Sequence, residues 1–158
     1  MRMATILKKV IIPAVGGVIG IAVMIGVQHY LLSLPLMMVP FTTSIVLAMA
    51  TPDSQYSHPF NIAAGHVLSA VAGFAILWTL GSEIWTPAIA VGLAIALMQA
   101  SDSMHPPAGI NAFIVVTHST PLTFLFVPVT AGAILLVALA WGYHRLTRPG
   151  IYPPKRSR

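Results

Sequence analysis

Two short segments of this sequence place a histidine directly before a proline: Ser57-His58-Pro59-Phe60-Asn61 and Met104-His105-Pro106-Pro107-Ala108-Gly109-Ile110-Asn111. Histidine titrates near neutral pH and can take up or give back a proton and its charge. Proline is favoured in the first turn of a helix, where its missing N–H is no loss. Both segments therefore read as helix starts with a histidine near the cap, and Asn61 and Asn111 in or near the first turns. A helix start offers free N–H groups and partial positive charge, which together attract anions. Asp102, three residues before His105, would favour the charged form of that histidine and would equally repel an anion.

His66 lies inside an apolar run, one turn past the Pro59 start. Ionisable residues at membrane depth face the protein interior and tend to be functional, so His66 either lines a site or joins helices by hydrogen bonding. His29, His118 and His144 stand at the ends of apolar runs, where headgroups or loops would satisfy them. A metal site of His58, His66 and His105 has no His-x-x-x-His or carboxylate-rich spacing behind it, so neither metal nor cofactor is expected. No Ser-His-Asp arrangement or glycine-rich phosphate loop is evident, and no enzymatic activity is expected.

The medium these residues occupy follows from composition. Of 158 residues, 57% are hydrophobic and 7% charged, which suits a bilayer and not a soluble globule. All eight Lys and Arg residues lie near the ends: Arg2, Lys8 and Lys9 in front, Arg145, Arg148, Lys155, Arg156 and Arg158 behind. The positive-inside rule puts both tails in the cytoplasm and makes the number of crossings even. Short basic membrane flanks are not a folded basic surface, so nucleic acid is not an expected partner. With no cysteine, disulfides and thiolate chemistry are excluded. The first apolar run is too long for a signal peptide and is expected to remain as a span.

The elements that must position the histidines are apolar segments. Val10–Leu32, Ile62–Leu80, Ile84–Ala100 and Leu122–Trp141 read as long segments, Leu36–Ala50 and Ala108–Thr117 as short ones. The expected fold is an all-α membrane protein: a compact bundle of six transmembrane segments, two of them short. Four full spans plus two re-entrant pieces is the alternative. Residues 1–9 are read as a basic cytoplasmic N-terminus, 10–145 as the transmembrane domain, and 146–158 as a flexible basic cytoplasmic tail. Gly16/Gly20 and Gly65/Ser69/Gly73 offer small-residue faces for close helix packing, and Ala88, Gly92, Ala96 and Ala100 share another face. Trp78 and Trp85 are placed as interfacial anchors. Pro40/Pro87, Ser54/Ser101, His58/His105 and Pro59/Pro106 are each 47 positions apart, the pattern a duplicated helix hairpin would leave.

Met98-Gln99-x-x-x-x-Met104-His105-Pro106-Pro107-Ala108-Gly109, together with Pro59-x-Asn61-x-x-x-Gly65-His66, resembles the HPP family of small integral membrane proteins. The resemblance covers roughly Val10 to Arg145. It implies that Asn61, Gly65, His66, His105, Pro106, Pro107, Ala108 and Gly109 are motif residues; Asp102 departs from the pattern. Family members are associated with nitrite transport, so the resemblance implies a permease for nitrite or another small monovalent anion in the cell inner membrane. Some relatives carry an appended regulatory module, and this chain is expected to be the bare membrane part. The expected binding set is His58, Asn61, Gly65, His66, Asp102, His105, Pro106, Pro107, Gly109 and Asn111. A histidine would carry a balancing proton, and lipid and a second copy of the chain are the other expected partners. The rival expectation is a non-transporting membrane module for assembly or sensing, which a dry interior around His66 and His105 would favour.

Overall fold

The computed structural model describes residues 3–29 and 39–155. The end of the first run at Leu32 and the start of the second at Leu36 lie outside the described residues. Among the described residues six apolar helices of ten or more residues follow one another: α1 (Leu7–Val27), α2 (Val39–Ala50), α3 (Pro59–Leu80), α4 (Thr86–Ala100), α5 (Pro106–Thr117) and α6 (Leu125–Thr147). Among the described residues there is no strand. At about 1.5 Å per residue, α1, α3 and α6 exceed the ~30 Å of a hydrocarbon core, whereas α2, α4 and α5 reach only about two thirds of it.

Proline sets several of these starts. Pro59 and Pro106 are the first residues of α3 and α5, as their placement after a histidine predicts. Pro87 is the second residue of α4, which makes this helix shorter than the long segment expected from Ile84. Ile84 is instead part of the preceding turn and is 99% exposed. Pro40 falls in the first described turn of α2. Inside α6, Pro128 cannot donate to the helical ladder, and the residues around it form a π-turn from Leu125 to Ala131. The Thr130 hydroxyl donates to the Leu125 carbonyl there, 2.7 Å away.

The centre of the bundle is α3. Its most apolar window is 56% buried, against 17% for α1 and 33% for α6. On one side Met24, Phe41, Ile45, Met49 and Leu136 tie α1, α2 and α6 together. On the other, Ala72, Ala90, Ala94, Met98 and Ala112 tie α3, α4 and α5. The two expected small-residue faces lie in these seams. A side chain on Gly16 would meet the Tyr143 ring at 2.6 Å, and one on Gly73 would meet Val115 Cβ at 2.8 Å. The Ala88/Gly92/Ala96/Ala100 face points outward instead, and α4 packs through Ala90, Ala94 and Met98. Trp78 and Trp85 are exposed. Because Gly92 has nothing within 4 Å of a built Cβ, Gly92→Ala is expected to raise stability by about 0.5–1 kcal/mol, read as a higher melting temperature in detergent.

Part of the expected flexible tail is packed onto the bundle. Tyr152 is 6% exposed and belongs to the α1/α2/α6 core, with Ile151 packed beside it. Burial pushes the Tyr152 phenol above its ordinary pKa. His144 is also buried, with Nε2 donating to the Ala48 carbonyl at 2.9 Å. An unsatisfied carbonyl near the C-terminal end of α2 gives that histidine its place.

Candidate functional site

His66 stands seven residues into α3, about 10 Å from its start. For His105 to reach that depth, the turn between α4 and α5 must fold inward. Gly65 permits it: a Cβ there would lie 2.8 Å from His105 Cβ and 3.2 Å from the Ser103 carbonyl. Asp102 takes a left-handed backbone with φ of 49°, which turns the chain into this approach. The rings of His66 and His105 come to rest 5.2 Å apart. Phe41 stacks on His66 at 4.7 Å, and Gly132 of α6 makes room for that ring.

A serine joins the two histidines. Ser44 Oγ, on α2, lies 2.9 Å from His66 Nε2 and 2.7 Å from His105 Nε2. The same oxygen is 2.8 Å from the Pro40 carbonyl. His105 Nδ1 is 2.7 Å from the Tyr56 carbonyl, and His66 Nδ1 is 2.9 Å from Asn111 Nδ2. Ser44, His66, His105 and Asn111 are all fully buried, at the boundary between the two apolar halves.

The proton positions follow from what each partner can accept. A carbonyl only accepts, so His105 Nδ1 carries a hydrogen for Tyr56. Asn111 Nδ2 also donates to the His66 carbonyl at 3.1 Å, which fixes the orientation of its amide. It therefore donates to His66 Nδ1 as well, and the proton of neutral His66 sits on Nε2, pointing at Ser44 Oγ. With both rings neutral, the Ser44 hydroxyl donates to His105 Nε2. If His105 takes up a proton, Nε2–H donates to Ser44 Oγ and the hydroxyl turns to the Pro40 carbonyl. The Ser44 bridge thus has two hydrogen-bond patterns that differ by one proton.

The structure separates the expected site residues into two groups. Gly65, His66, His105 and Asn111 meet around Ser44. Gly109 touches the rim, its carbonyl accepting from Ser69 Oγ at 3.3 Å. Asn61 holds the two loops together, with Nδ2 donating to the Gln55 carbonyl at 3.0 Å and the Met104 carbonyl at 3.3 Å. His58 caps its own helix, Nδ1 accepting from Phe60 N at 3.1 Å. Asp102 and Pro106 are exposed and Pro107 is half-buried.

The helix starts offer an anion less than their sequence suggests. Pro59, Pro106 and Pro107 have no N–H, Phe60 N is taken by His58, and Ala108 N donates to the His105 carbonyl at 3.0 Å. Both asparagine NH2 groups are engaged, while Asn61 Oδ1 and Asn111 Oδ1 are buried without a partner. Among the described residues, no group of three or more His, Asp or Glu side chains could hold a metal ion.

Sequence reasoning missed Ser44, Phe41, Ser69 and the Tyr56 carbonyl. Ser44 left a signal, because a hydroxyl in the apolar run Leu36–Ala50 falls under the same expectation as His66. Tyr56 contributes through its backbone, which leaves no trace in residue type.

Three helices long and apolar enough to cross a bilayer, packed with shorter apolar helices around a buried polar junction, define an integral membrane protein. The chain belongs to the HPP transmembrane family, whose transmembrane-region model matches residues 3–153. It is 35% identical over 121 residues to a transmembrane protein of Dictyostelium discoideum, covering 72% of this chain and 42% of that protein. A second transmembrane protein of the same organism is 32% identical over 121 residues, with 72% and 39% covered. The chain thus spans about two fifths of the length of these curated relatives. No solved structure matches it.

Proposed function

We propose that this HPP-family protein is a non-enzymatic transporter of a small monovalent anion, nitrite first, in which the Ser44-bridged histidine pair handles a balancing proton. The observation that carries the reading is the His66–Ser44–His105 bridge, complete both with and without an added proton. From Val10 to His144 the sequence has no Lys or Arg, so a charged imidazole is the strongest positive group an anion could meet at this depth. The buried arrangement is then the closed state. An anion enters when the loops carrying Tyr56 and His105 part, and the histidine proton offsets its charge. The basic ends lie on the cytoplasmic side of an inner membrane.

Proteoliposomes of the purified protein are expected to take up nitrite, faster with the acidic side outside. His105→Ala is expected to lower uptake by more than about tenfold, a barrier change of about 1.4 kcal/mol, while His144→Ala stays within about threefold. No uptake under either sign of pH gradient removes the reading, and equal effects remove His105 from the mechanism.

A second reading is a non-transporting module for assembly or sensing. It is favoured by the complete burial of Ser44, His66, His105 and Asn111. Under it the liposomes stay impermeable to nitrite, and His105→Ala changes only stability or association.

A further inference from the structure

The basic end of the bundle contains an open cavity of about 460 Å³. Lys8 and Lys9 come to it from α1, Asp53 from the turn after α2, and Arg148 from the segment after α6. Three cations therefore face one carboxylate, and among the described residues no ion pair joins Asp53 to them. Arg148 is held in place by donating from Nη2 to the Met49 carbonyl at 2.8 Å. Its Nε is buried with no partner. A guanidinium keeps its charge at any ordinary pH, so this end of the molecule has a fixed, incompletely satisfied donor.

A second cavity of about 300 Å³ continues from the first. It shares Pro13 and Ala50 with the cationic one and is lined further by Gly17, Val18, Val46 and Met49. None of these side chains is charged. The groove runs down α1 from the lysines, and Lys9 to Val18 covers about 14 Å of helix, a substantial part of one leaflet. At Gly17 nothing lies within 4 Å of a built Cβ, so the groove is open there.

A cationic pocket at the end of membrane-crossing helices, opening into an apolar groove along one of them, is complementary to a single kind of molecule. We propose that this surface binds one acidic phospholipid, its phosphate among Lys8, Lys9 and Arg148 and its first acyl carbons in the groove between α1 and α2. Basic pockets between transmembrane helices recognise acidic headgroups in this manner. A choline headgroup would bring a further positive charge to a surface that already has an excess of it. The site is separate from the histidine junction and does not depend on what that junction transports.

The test uses the full chain in detergent, with lipids added back and counted by native mass spectrometry. Phosphatidylglycerol is expected to remain bound as a single molecule, at least about tenfold more tightly than phosphatidylcholine of the same chains. Lys8→Gln with Lys9→Gln touches no side-chain hydrogen bond among the described residues and should lower retention of phosphatidylglycerol toward that of phosphatidylcholine. Gly17→Leu fills the groove without changing charge and should also weaken phosphatidylglycerol. Equal retention of the two lipids overturns the proposal. So does inorganic phosphate displacing the lipid at micromolar concentration with Gly17→Leu having no effect, because the site would then hold a free anion only.

Discussion

Ser44→Ala is expected to abolish most nitrite uptake while the chain still inserts and purifies. Among the described residues, Ser44 Oγ is the partner of both His66 Nε2 and His105 Nε2. Removing it leaves a buried donor on one ring and a buried acceptor on the other, and each unpaired buried group costs about 1–3 kcal/mol. Stability should fall by a similar amount, seen as a lower melting temperature in detergent. The larger effect is on the proton. Without the hydroxyl, an added proton on His105 loses the oxygen that would accept it and the route to the Pro40 carbonyl. Uptake should fall by more than about tenfold, and its dependence on pH should flatten. A purely structural role for Ser44 would lower uptake equally at every pH. Thr43→Ala is the control: among the described residues Thr43 Oγ1 bonds within α2, to the Pro40 carbonyl at 2.9 Å and the Val39 carbonyl at 3.3 Å. It should stay within about twofold of the unaltered chain, as surface-like substitutions do.

Gly65→Ala is expected to have the second largest effect, through geometry alone. The new Cβ would sit 2.8 Å from His105 Cβ, 3.2 Å from the Ser103 carbonyl and 3.4 Å from Met98 Sδ. The methionine can move, but a carbonyl and a Cβ are fixed to the backbone, so the turn itself has to retreat. Overpacking of this kind costs about 1–3 kcal/mol. The retreat would also lift His105 from Ser44, where the contact is 2.7 Å. Gly65→Ala should therefore lower both the melting temperature and nitrite uptake, whereas Gly92→Ala, on an open face, lowers neither. A Gly65→Ala protein that melts and transports like the unaltered chain would show that this close approach does not hold the loop.

The helix starts were legible because proline and the residue before it have few backbone options. Pro59 and Pro106 begin helices in the structure, and His58 and His105 both occupy the cap before them. Equal sequence positions did not yield equal roles. His58 is half-exposed and caps its own first turn, whereas His105 turns inward to Ser44. The difference lies in what faces each loop: Gly65 opens a space on α3 into which Ser103 and His105 of the second loop fit. The expectation that Asn61 and Asn111 would donate to an anion met a similar limit. An amide's character is visible in sequence, but whether a nearby carbonyl has already taken its hydrogens is not.

By itself the sequence determined the medium, the helical class and the family, because hydropathy, the placement of charge and the His-Pro-Pro motif are properties of residue type and order. It also singled out Gly65, His66, His105 and Asn111, since polar groups and glycines are conspicuous in apolar runs. Only the tertiary structure decided that these residues form one junction, that Ser44 closes it, and that the helix-start amides are mostly spent inside the protein. Those outcomes depend on which faces meet across 22, 45 and 61 residues of chain, and packing, not local pattern, chooses those partners.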